Sequence, residues 1–329
     1  MRAPDFWHRP ADKPGFLPRL LSPLGALYAK ATAQRISQPG YTAQVPIICV
    51  GNLNAGGTGK TPTVIFLIQM LQDRGVTPHV VSRGYGGKLE GPLQVEPLAH
   101  AASDVGDEPL LVSAFAPVWV SKDRKQGVKA AENAGAKVIL LDDGFQNPSV
   151  QKDLSLIVVD AKIGFGNGRT IPAGPLREPV PAGMRRADMI LSIGDETAQS
   201  MFLENWGKEI TKTHLVGQLL PLETGMSWTD TPFLAFAGIG HPEKFFLTLK
   251  NLGANLVRAE ALSDHQELTQ GLLRRLEADA TQLGAQLVTT EKDAVRLPSD
   301  FRHKVITLPV RLDIANASEL TQALEKLGF

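Results

Sequence analysis

The chain has 329 residues, which predicts two domains, because a single hydrophobic core stops growing at about 250–300 residues. Its 34 basic residues balance its 34 acidic residues, so the composition argues against nucleic acid as the main partner. A single cysteine, Cys49, excludes a disulfide framework and favours a reducing compartment, and the sequence has no apolar run of about 18 residues that would span a membrane.

Residues 1–40 predict a helix that is both apolar and cationic, with six Lys or Arg residues against two acids. The apolar side chains that share one helical face are Leu17, Leu20, Leu21, Leu24, Leu27 and Tyr28. Two compatible interpretations stay open: a helix that lies on anionic lipid headgroups, and a helix packed on its own domain. A secretory signal, suggested by Ala29-Lys30-Ala31, conflicts with the nucleotide site predicted below, and Pro23 and Gly25 interrupt its apolar segment.

A P-loop nucleotide site is predicted at residues 45–61. The apolar run Val45–Val50 leads into a loop of small residues that ends in Gly59-Lys60-Thr61, and a helical apolar pattern follows. In this arrangement, backbone N–H groups and the positive end of the helix form a cradle for phosphate. We expect Lys60 to reach the β- and γ-phosphates and the Thr61 hydroxyl to hold Mg²⁺. The residues predicted to bind the nucleotide are Asn54, Ala55, Gly56, Gly57, Thr58, Gly59, Lys60 and Thr61.

This loop departs from the strict eight-residue motif at one position, where the usual glycine is replaced by Asn54. Asparagine tolerates the left-handed backbone conformation better than most residues do. We therefore expect the turn to form in spite of the substitution.

Asp107 and Glu108 precede a predicted helix at residues 110–115. Both carboxylates suit the positive end of that helix's dipole, so a capping role is the alternative to a catalytic one. The residues alone leave the two interpretations open.

The apolar run before Asp142 and Asp143 has the form of a Walker B strand, which presents a carboxylate to the metal or to its waters. Residues 154–160 repeat the pattern, so Asp160 is an alternative candidate for the acid that faces the metal. Strands that alternate with helices in this way predict a parallel sheet with right-handed crossovers and a ligand at the carboxyl edge of the strands.

Residues 161–187 form a long loop, and a loop of this length inside a compact domain is usually functional or disordered. Its apolar residues argue against disorder. Arg177 is suited to phosphate and Glu178 to metal.

The second half predicts a smaller α/β domain of about a hundred residues. Residues 213–220 predict a connecting strand, and residues 304–311 predict a last strand. His265 lies between a strand and a helix, where a turn residue without a catalytic role is the alternative to a functional one.

Seven stretches, in order along the chain, resemble the tetraacyldisaccharide 4'-kinases of lipid A synthesis. They are Val50-Gly-Asn-Leu-Asn-Ala-Gly-Gly-Thr-Gly-Lys-Thr-Pro62, Ser82-Arg-Gly-Tyr-Gly86, Val105-Gly-Asp-Glu-Pro109, Asp142-Asp-Gly-Phe-Gln146, Pro172-Ala-Gly-Pro-Leu-Arg-Glu178, Asp264-His265 and Thr290-Glu-Lys-Asp-Ala-Val295. Single fragments are weak signals, but the ordered set is highly specific. The family usually has two histidines after the aspartate, and Gln266 replaces the second one here.

The resemblance implies a P-loop NTPase-type α/β/α sandwich and a second, smaller α/β/α domain, joined by a two-stranded linker. We accordingly expect an N-terminal interfacial helix (1–40), a kinase domain (41–212), a linker strand (213–225) and a small domain (226–329). The last strand, at about 304–311, is a candidate to pair with the linker.

The resemblance also implies transfer of the γ-phosphate of ATP, with Mg²⁺, to the 4'-hydroxyl of an acylated glucosamine disaccharide 1-phosphate. It implies a peripheral enzyme on the cytoplasmic face of the inner membrane, with the N-terminal helix against the anionic membrane surface. We expect a monomer that does not bind nucleic acid.

By the same resemblance, Asp107 is the base and His265 is its partner, while Lys60 serves the phosphates. The residues implied around the metal are Thr61, Asp142, Asp143 and Glu178. Because Asp107 and His265 fall in different predicted domains, their meeting requires the domains to close over the substrate. The candidates for further phosphate contacts, which the sequence does not rank, are Arg83, Arg124 and Arg177.

The main alternative is a P-loop ATPase or GTPase that switches, or that loads a partner or a metal cluster, because a doubled glycine before Gly-Lys-Thr also occurs in such proteins. GTPases normally carry an Asn-Lys-x-Asp motif that recognises guanine, and Thr290-Glu-Lys-Asp293 does not match this motif. A third class, a non-catalytic nucleotide-binding scaffold, would leave the segments of Asp107 and His265 without a role.

Overall fold

The computed structural model describes residues 3–223 and 225–329, which contain two β-sheets. In chain order, the strands are β1 (Ile47–Gly51), β2 (His79–Ser82), β3 (Leu93–Gln94), β4 (Val118–Val120), β5 (Ile139–Asp142), β6 (Leu154–Asp160), β7 (Met189–Ile193), β8 (Thr213–Pro221), β9 (Pro232–Ala237), β10 (Asn255–Ala261), β11 (Gln286–Thr290), β12 (Val305–Leu308) and β13 (Val310–Ile314). The helices are α1 (Phe16–Ile36), α2 (Lys60–Gln72), α3 (Ala102–Val105), α4 (Asp107–Val112), α5 (Arg124–Asn133), α6 (Val180–Arg186), α7 (Glu196–Trp206), α8 (Pro242–Asn251), α9 (Gln270–Gln282), α10 (Glu291–Ala294), α11 (Ser299–Arg302) and α12 (Ser318–Lys326), preceded by a short 3-10 helix at Asp5–His8.

The large sheet has nine strands in the order β13-β8-β7-β6-β1-β5-β2-β4-β3, with β1 at its centre. Neighbouring strands are parallel except at the two edges, where β3 is antiparallel to β4 and β13 is antiparallel to β8. Every residue of β1 is buried. The continuous apolar run that predicted this strand is typical of a parallel sheet that is covered on both faces.

Helices cover both faces of the large sheet. Leu67 of α2 and Leu320 of α12 lie in the hydrophobic core on one face. Val128 of α5 and Phe202 of α7 lie in the core on the other face. The predicted α/β/α sandwich is therefore confirmed, and the carboxyl ends of its parallel strands open onto a single edge.

The small sheet has four parallel strands in the order β10-β9-β11-β12. Phe245 of α8 packs on one face of this sheet, and Leu276 of α9 packs on the other. The small unit thus repeats the three-layer arrangement with its own cores.

Two antiparallel strands carry the chain between the two sheets. The small sheet follows β8 in the sequence, and β13 then returns to pair with β8, from Val310 opposite Pro221 to Ile314 opposite Gly217. The single strand predicted at 304–311 is wrong in its extent. Pro309 has no N–H group to donate, and it separates β12, which pairs with β11, from β13, which belongs to the large sheet.

Helix α1 packs on the large unit along one side and leaves apolar side chains exposed on the other. The Gly25 carbonyl accepts a hydrogen bond from Thr170 Oγ1 at 2.8 Å, and a Cβ at Gly25 would lie 2.9 Å from the Thr170 carbonyl oxygen. The helix continues through Pro23 without a break. The exposed large side chains on α1 are Phe16, Leu17, Leu20, Leu24 and Leu27. Across the described parts of the chain, no helix combines the length and apolarity that a membrane crossing requires.

Truncating Leu67 to alanine should lower the free energy of unfolding of the large unit by about 2–5 kcal/mol, because this side chain is fully buried between α2 and the sheet and a cavity would remain. Leu98→Ala makes the same truncation at a fully exposed position and should change that free energy by less than about 0.5 kcal/mol. Urea unfolding followed by circular dichroism measures both. Equal midpoints for the two variants would contradict the assigned core.

Candidate functional site

A turn at residues 52–59, called the phosphate turn for the ligand that the sequence predicts, joins β1 to α2 at the carboxyl edge of the large sheet. Gly56 and Gly59 have φ angles of 133° and 96°, in the left-handed region that glycine adopts most readily. The backbone N–H groups of residues 56–61 have no acceptor among the described residues. A Cβ on Gly56 or Gly57 would meet nothing within 4 Å, so the space beside these donors is open. Free donors at the positive end of α2 are the arrangement that an anion cradle requires.

Hydrogen bonds fix the shape of this turn. The Asn52 side chain donates to the Gly56 carbonyl at 3.0 Å and lies 3.2 Å from Thr58 Oγ1. Asn54 Nδ2 donates to the Gly164 carbonyl at 3.0 Å, and the Ala55 N–H donates to a carbonyl of the same long loop at 2.7 Å. Asn54 does not adopt the left-handed conformation, so the expected tolerance of asparagine for it is not needed. Because the Ala55 donor is already used, the free backbone donors begin at Gly56.

Asp142 ends β5, the strand beside β1, and Asp143 follows it at the same edge of the sheet. Ser82 Oγ donates to Asp142 Oδ2 at 3.2 Å, while Asp142 Oδ1 is buried and has no partner among the described residues. Burial, together with the nearby carboxylates of Glu108 and Asp143, raises the pKa of Asp142 to about 6. A cation at this position would favour the ionised carboxylate.

Asp143 faces two cationic side chains and has a left-handed φ of 51°. Its carboxylate oxygens lie 2.7 and 3.2 Å from the two terminal nitrogens of Arg177, and Lys60 Nζ lies 3.7 Å away. Burial alone would raise the pKa of the Asp143 carboxyl, but Lys60 and Arg177 outweigh it and hold that pKa below its usual value. Asp143 therefore links the P-loop lysine to the long loop that carries Arg177.

Arg124, at the start of α5, is buried behind this strand end. Its Nη2 donates to the carbonyl oxygens of Asp142, at 2.8 Å, and of Asp143, at 3.5 Å. Burial lowers the pKa of the Arg124 guanidinium, and the two neighbouring carboxylates oppose that effect. Arg124 thus holds the backbone that carries the two acids, whereas Arg83 is exposed in the turn after β2.

Glu178 is buried in the long loop and already has two partners. Gln146 Nε2 donates to its Oε1 at 3.0 Å, and Arg186 Nη2 lies 2.5 Å from the same oxygen. Gln146 also donates to the Asn52 carbonyl, which ties Glu178 to the start of the phosphate turn. Within residues 3–223 and 225–329, no three His, Cys, Asp or Glu side chains form a ready metal cluster. In a P-loop site, much of the Mg²⁺ coordination comes from a hydroxyl, phosphate oxygens and water, so a protein cluster of three acids is not required. The assignment of Thr61, Asp142, Asp143 and Glu178 to the metal stays a prediction.

Asp107 and His265, from different units, meet beside this edge. Helix α4 begins at Asp107, three residues before the predicted helix, and Asp107 and Glu108 lie in its first turn. Asp107 Oδ1 accepts a hydrogen bond from the Glu108 N–H at 3.0 Å, while the N-cap residue of α4 is Gly106 and no side chain caps the helix. Asp107 Oδ2 lies 3.0 Å from His265 Nδ1, in an ion-pair contact between the units. The Asp107 carboxylate therefore lies at the positive end of the α4 dipole and also contacts the histidine of the other unit.

The charges around this contact shift both pKa values. Burial alone would raise the pKa of Asp107, but His265 and Lys292 outweigh it and lower that pKa. The contact with Asp107 raises the pKa of His265, against the lowering effects of burial and of Lys292. The stability that this ion pair contributes is therefore fully present between the ordinary pKa of aspartate and the ordinary pKa of histidine. It is lost as the pH rises through the raised pKa of His265, and also as the pH falls through the lowered pKa of Asp107.

A second ion pair joins the units on the other side of β1. Lys244 Nζ, in the first turn of α8, lies 2.6 Å from Asp160 Oδ2 at the end of β6. Since β6 neighbours β1 on one side and α4 packs on β4 on the other, the two contacts flank the phosphate turn. Asp160, the alternative acid in the sequence, is engaged by Lys244.

Comparison with known proteins decides the family. The model of the tetraacyldisaccharide-1-P 4'-kinase family matches residues 17–328. The chain belongs to this family. It is 59% identical to the tetraacyldisaccharide 4'-kinase of Dinoroseobacter shibae, over 99% of this chain and 98% of that protein. It is 47% identical to that of Rhodospirillum rubrum, over 95% of this chain and 93% of that protein.

A solved structure supports the same assignment. The crystal structure of the "apo" form of LpxK from Aquifex aeolicus in complex with ATP matches with a TM-score of 0.75 and 25% identity, over 95% of this chain and 100% of that chain. The resemblance carried by the seven ordered motifs is therefore confirmed. The alternative of a switching or loading ATPase or GTPase loses its basis, because a single kinase family covers nearly the whole chain.

Several residues of the site in this 4'-kinase family member were not assigned a role from the sequence. Lys292 Nζ lies 2.9 Å from Glu108 Oε1 and 3.9 Å from Asp107 Oδ2. Lys292 stands inside one of the ordered motifs, which was the available signal. Gln146 and Arg186, the partners of Glu178, lie in other parts of the fold, 32 and 8 residues away in sequence, so only the fold reveals these contacts.

Replacing Asp107 with asparagine should lower the pKa of His265, because the largest influence that raises it is removed while burial and Lys292 still lower it. A ¹³C-histidine NMR titration measures this pKa, with the resonance assigned through His265→Gln. Asp264→Asn is the matched control, since Asp264 is exposed and lies 3.8 Å from His265 Nε2; it should lower the pKa less. An unchanged or higher pKa in Asp107→Asn would contradict the pairing.

Proposed function

We propose that this chain transfers the γ-phosphoryl group of ATP to the 4'-hydroxyl of an acylated glucosamine disaccharide 1-phosphate, the lipid A precursor. The observation that carries the proposal is the contact between Asp107 and His265, across the two units and beside the phosphate turn. A nucleotide switch needs no such pair, whereas a transferase needs a group that orients its acceptor. The family of named 4'-kinases supports the acceptor's identity.

In the proposed reaction, the free N–H donors of residues 56–61 and the Lys60 ammonium hold the terminal phosphates of ATP. These donors are fixed in place before the reaction, so they stabilise charge on the transferring group without reorganising. Loose phosphoryl transfer gives the protein little covalent chemistry to do, and positioning therefore supplies most of the catalysis.

Mg²⁺ fits the acidic residues of this edge. Asp142 has a buried oxygen without a partner and a raised pKa, and both features favour a nearby cation. We propose that Thr61, Asp142 and Asp143 hold Mg²⁺ directly or through water, and that Glu178 supports the site from its buried position. Bound there, Mg²⁺ would neutralise charge on the phosphate oxygens. Arg177 and Lys60 hold the Asp143 carboxylate in place.

Asp107 is the proposed base. It orients the 4'-hydroxyl oxygen for attack on the γ-phosphorus and takes the hydroxyl proton as the new P–O bond forms, while the bond to the β-phosphate oxygen breaks and ADP leaves. The lowered pKa keeps Asp107 ionised before the reaction. His265 fixes the orientation of the carboxylate and shares the proton that it receives.

Closure of the two units is part of the proposed mechanism. The base lies in the large unit and its histidine partner in the small one, so the pair exists only when the units are together. Closure also excludes water, which would otherwise accept the γ-phosphoryl group. Because one chain supplies Lys60, Asp107 and His265, a monomer is sufficient.

Replacing Asp107 with asparagine should reduce phosphoryl transfer by about a hundredfold or more while ATP still binds, since the shape is kept and the proton acceptor is lost. The assay follows label from γ-³²P-ATP to the purified lipid A disaccharide precursor, and calorimetry measures ATP affinity. Asp104→Asn is the matched control. Asp104 caps α3 three residues upstream, with Oδ2 2.9 Å from the Ala101 N–H, and its loss should change transfer only a few-fold.

Two results would contradict the proposal. One is an intact wild-type protein that leaves the glycolipid unlabelled; the other is an Asp107→Asn variant that transfers at the wild-type rate. Lys60→Ala should weaken both ATP binding and transfer, whereas Asp107→Asn should lose transfer alone, so the two variants together separate binding from chemistry.

We further propose that α1 places the enzyme on the cytoplasmic face of the inner membrane. Its exposed leucines form a contiguous apolar stripe, and cationic residues of the same segment suit anionic headgroups. The acceptor carries acyl chains and lies in the bilayer, while ATP is cytosolic. A helix that rests in the interface brings the phosphate turn to the lipid substrate.

Replacing Leu20, Leu24 and Leu27 with serine should weaken binding to phosphatidylglycerol vesicles by at least about tenfold, because each buried leucine contributes about 1.5–3 kcal/mol. Vesicle co-sedimentation measures this. Met201→Ser with Leu203→Ser is the control, since these α7 side chains are similarly exposed, at 54% and 47%, but lie outside the stripe. Equal binding by the two variants would remove the membrane role of α1.

A further inference from the structure

Lys292 is the one lysine, among the described residues, with its ammonium within 4 Å of both acids in the first turn of α4. It belongs to α10 of the small unit, and its side chain is one-quarter exposed. The Nζ atom lies 2.9 Å from Glu108 Oε1 and 3.9 Å from Asp107 Oδ2. The same Oδ2 is 3.0 Å from His265 Nδ1, so one buried carboxylate oxygen faces both the Lys292 ammonium and the His265 imidazole.

Contacts with the protein keep Lys292 charged. Burial alone would lower the pKa of its ammonium, but Glu108 and Asp107 outweigh it and raise that pKa. A neutral Lys292 would leave Glu108 without a partner and would leave Asp107 with His265 alone. The Lys292 ammonium is thus a fixed positive charge at the contact between the two units.

We propose that Lys292 is a positioning residue for phosphoryl transfer, which holds Glu108 and Asp107 from the small unit and fixes Asp107 and His265 in their reactive arrangement. This inference rests on the kinase activity proposed above. It assigns to Lys292 no contact with the substrate or with the phosphates. Its effect on the reaction passes through the carboxylate of Asp107.

A fixed positive charge also makes protonation of its neighbours harder. Lys292 lowers the pKa of Asp107 and that of His265. The other charged groups that face His265 are Asp107 and Asp264, which both raise its pKa, and the Tyr85 ring packs edge-on against the imidazole. Loss of the Lys292 charge should therefore raise both pKa values and leave the pair protonated, and inactive, up to a higher pH.

The test uses the full-length protein with ATP, Mg²⁺ and the lipid A disaccharide precursor. Lys292→Met keeps most of the side-chain volume but removes the charge. We expect kcat to fall roughly tenfold to hundredfold, with the acidic limb of its pH profile moved to higher pH. The His265 pKa in the ¹³C-histidine NMR titration should also rise, which is the opposite of its response to Asp107→Asn. Lys292→Arg keeps the charge and should retain the wild-type acidic limb.

Lys244→Met is the matched control, because it removes the other ion pair between the two units, the one with Asp160. It should weaken closure, and so lower kcat or raise KM, without moving the acidic limb or the His265 pKa. A Lys244→Met variant that moves the limb as far as Lys292→Met would reduce the role of Lys292 to domain closure and overturn the proposal.

The remaining outcomes separate this inference from the proposed function. If wild-type protein labels the glycolipid and Asp107→Asn abolishes labelling, while Lys292→Met leaves the acidic limb and the His265 pKa unchanged, the inference on Lys292 fails alone. If wild-type protein does not label the glycolipid, the proposed function fails. The NMR titration still reports on Lys292 in that case, because it needs no turnover. If the Lys292→Met variant does not fold, the Lys292→Gln variant takes its place. The acidic limb of its kcat profile and its His265 pKa then decide whether the inference on Lys292 holds.

Discussion

Unpaired peptide N–H groups between β1 and α2 constrain the rest of the structure. A row of peptide N–H groups that have no acceptor among the described residues, and that lie beside open space, is suited to bind an anion. The parallel sheet makes this possible, because β1 is central and fully buried and therefore holds the turn still. The end of the neighbouring strand β5 then places Asp142 and Asp143 beside these donors, and Lys60 begins the helix that follows them.

The second sheet adds what the first lacks. A P-loop alone can bind a nucleotide, but transfer to a sugar hydroxyl needs an acceptor site that is closed to water. The small unit reaches across the carboxyl edge with two separate charge contacts, one on each side of β1, through His265 and Lys244. Each contact places a buried carboxylate of the large unit against a nitrogen-bearing side chain of the small one. Both contacts therefore exist only when the units are together.

The sequence predicts most of this where the signal is local. Apolar runs that end in polar residues indicated the strands and Asp142, and the glycine-rich loop indicated the phosphate turn. The failures lie where a residue's role depends on distant parts of the chain. Pro309 divides two strands of different sheets, Asn54 is held by the long loop rather than by its own backbone conformation, and the partners of Glu178 come from other elements. Lys292 was inside a recognised motif, but its target became visible only when the two units met.

The long loop after β6 contacts both the apolar helix α1 and the phosphate turn, and it therefore connects them. Thr170 of this loop packs against Gly25 of α1. Two other residues of the loop, Gly164 and Pro175, accept hydrogen bonds at their carbonyl groups from the Asn54 side chain and the Ala55 N–H. The same loop carries Arg177, which binds Asp143. A loop of this length would be unfavourable to order for connection alone, because each fixed residue loses about 1–2 kcal/mol of backbone entropy. Its order is stabilised by contacts at both ends, so the face that presents the leucines stands at a fixed distance from the site that holds the nucleotide.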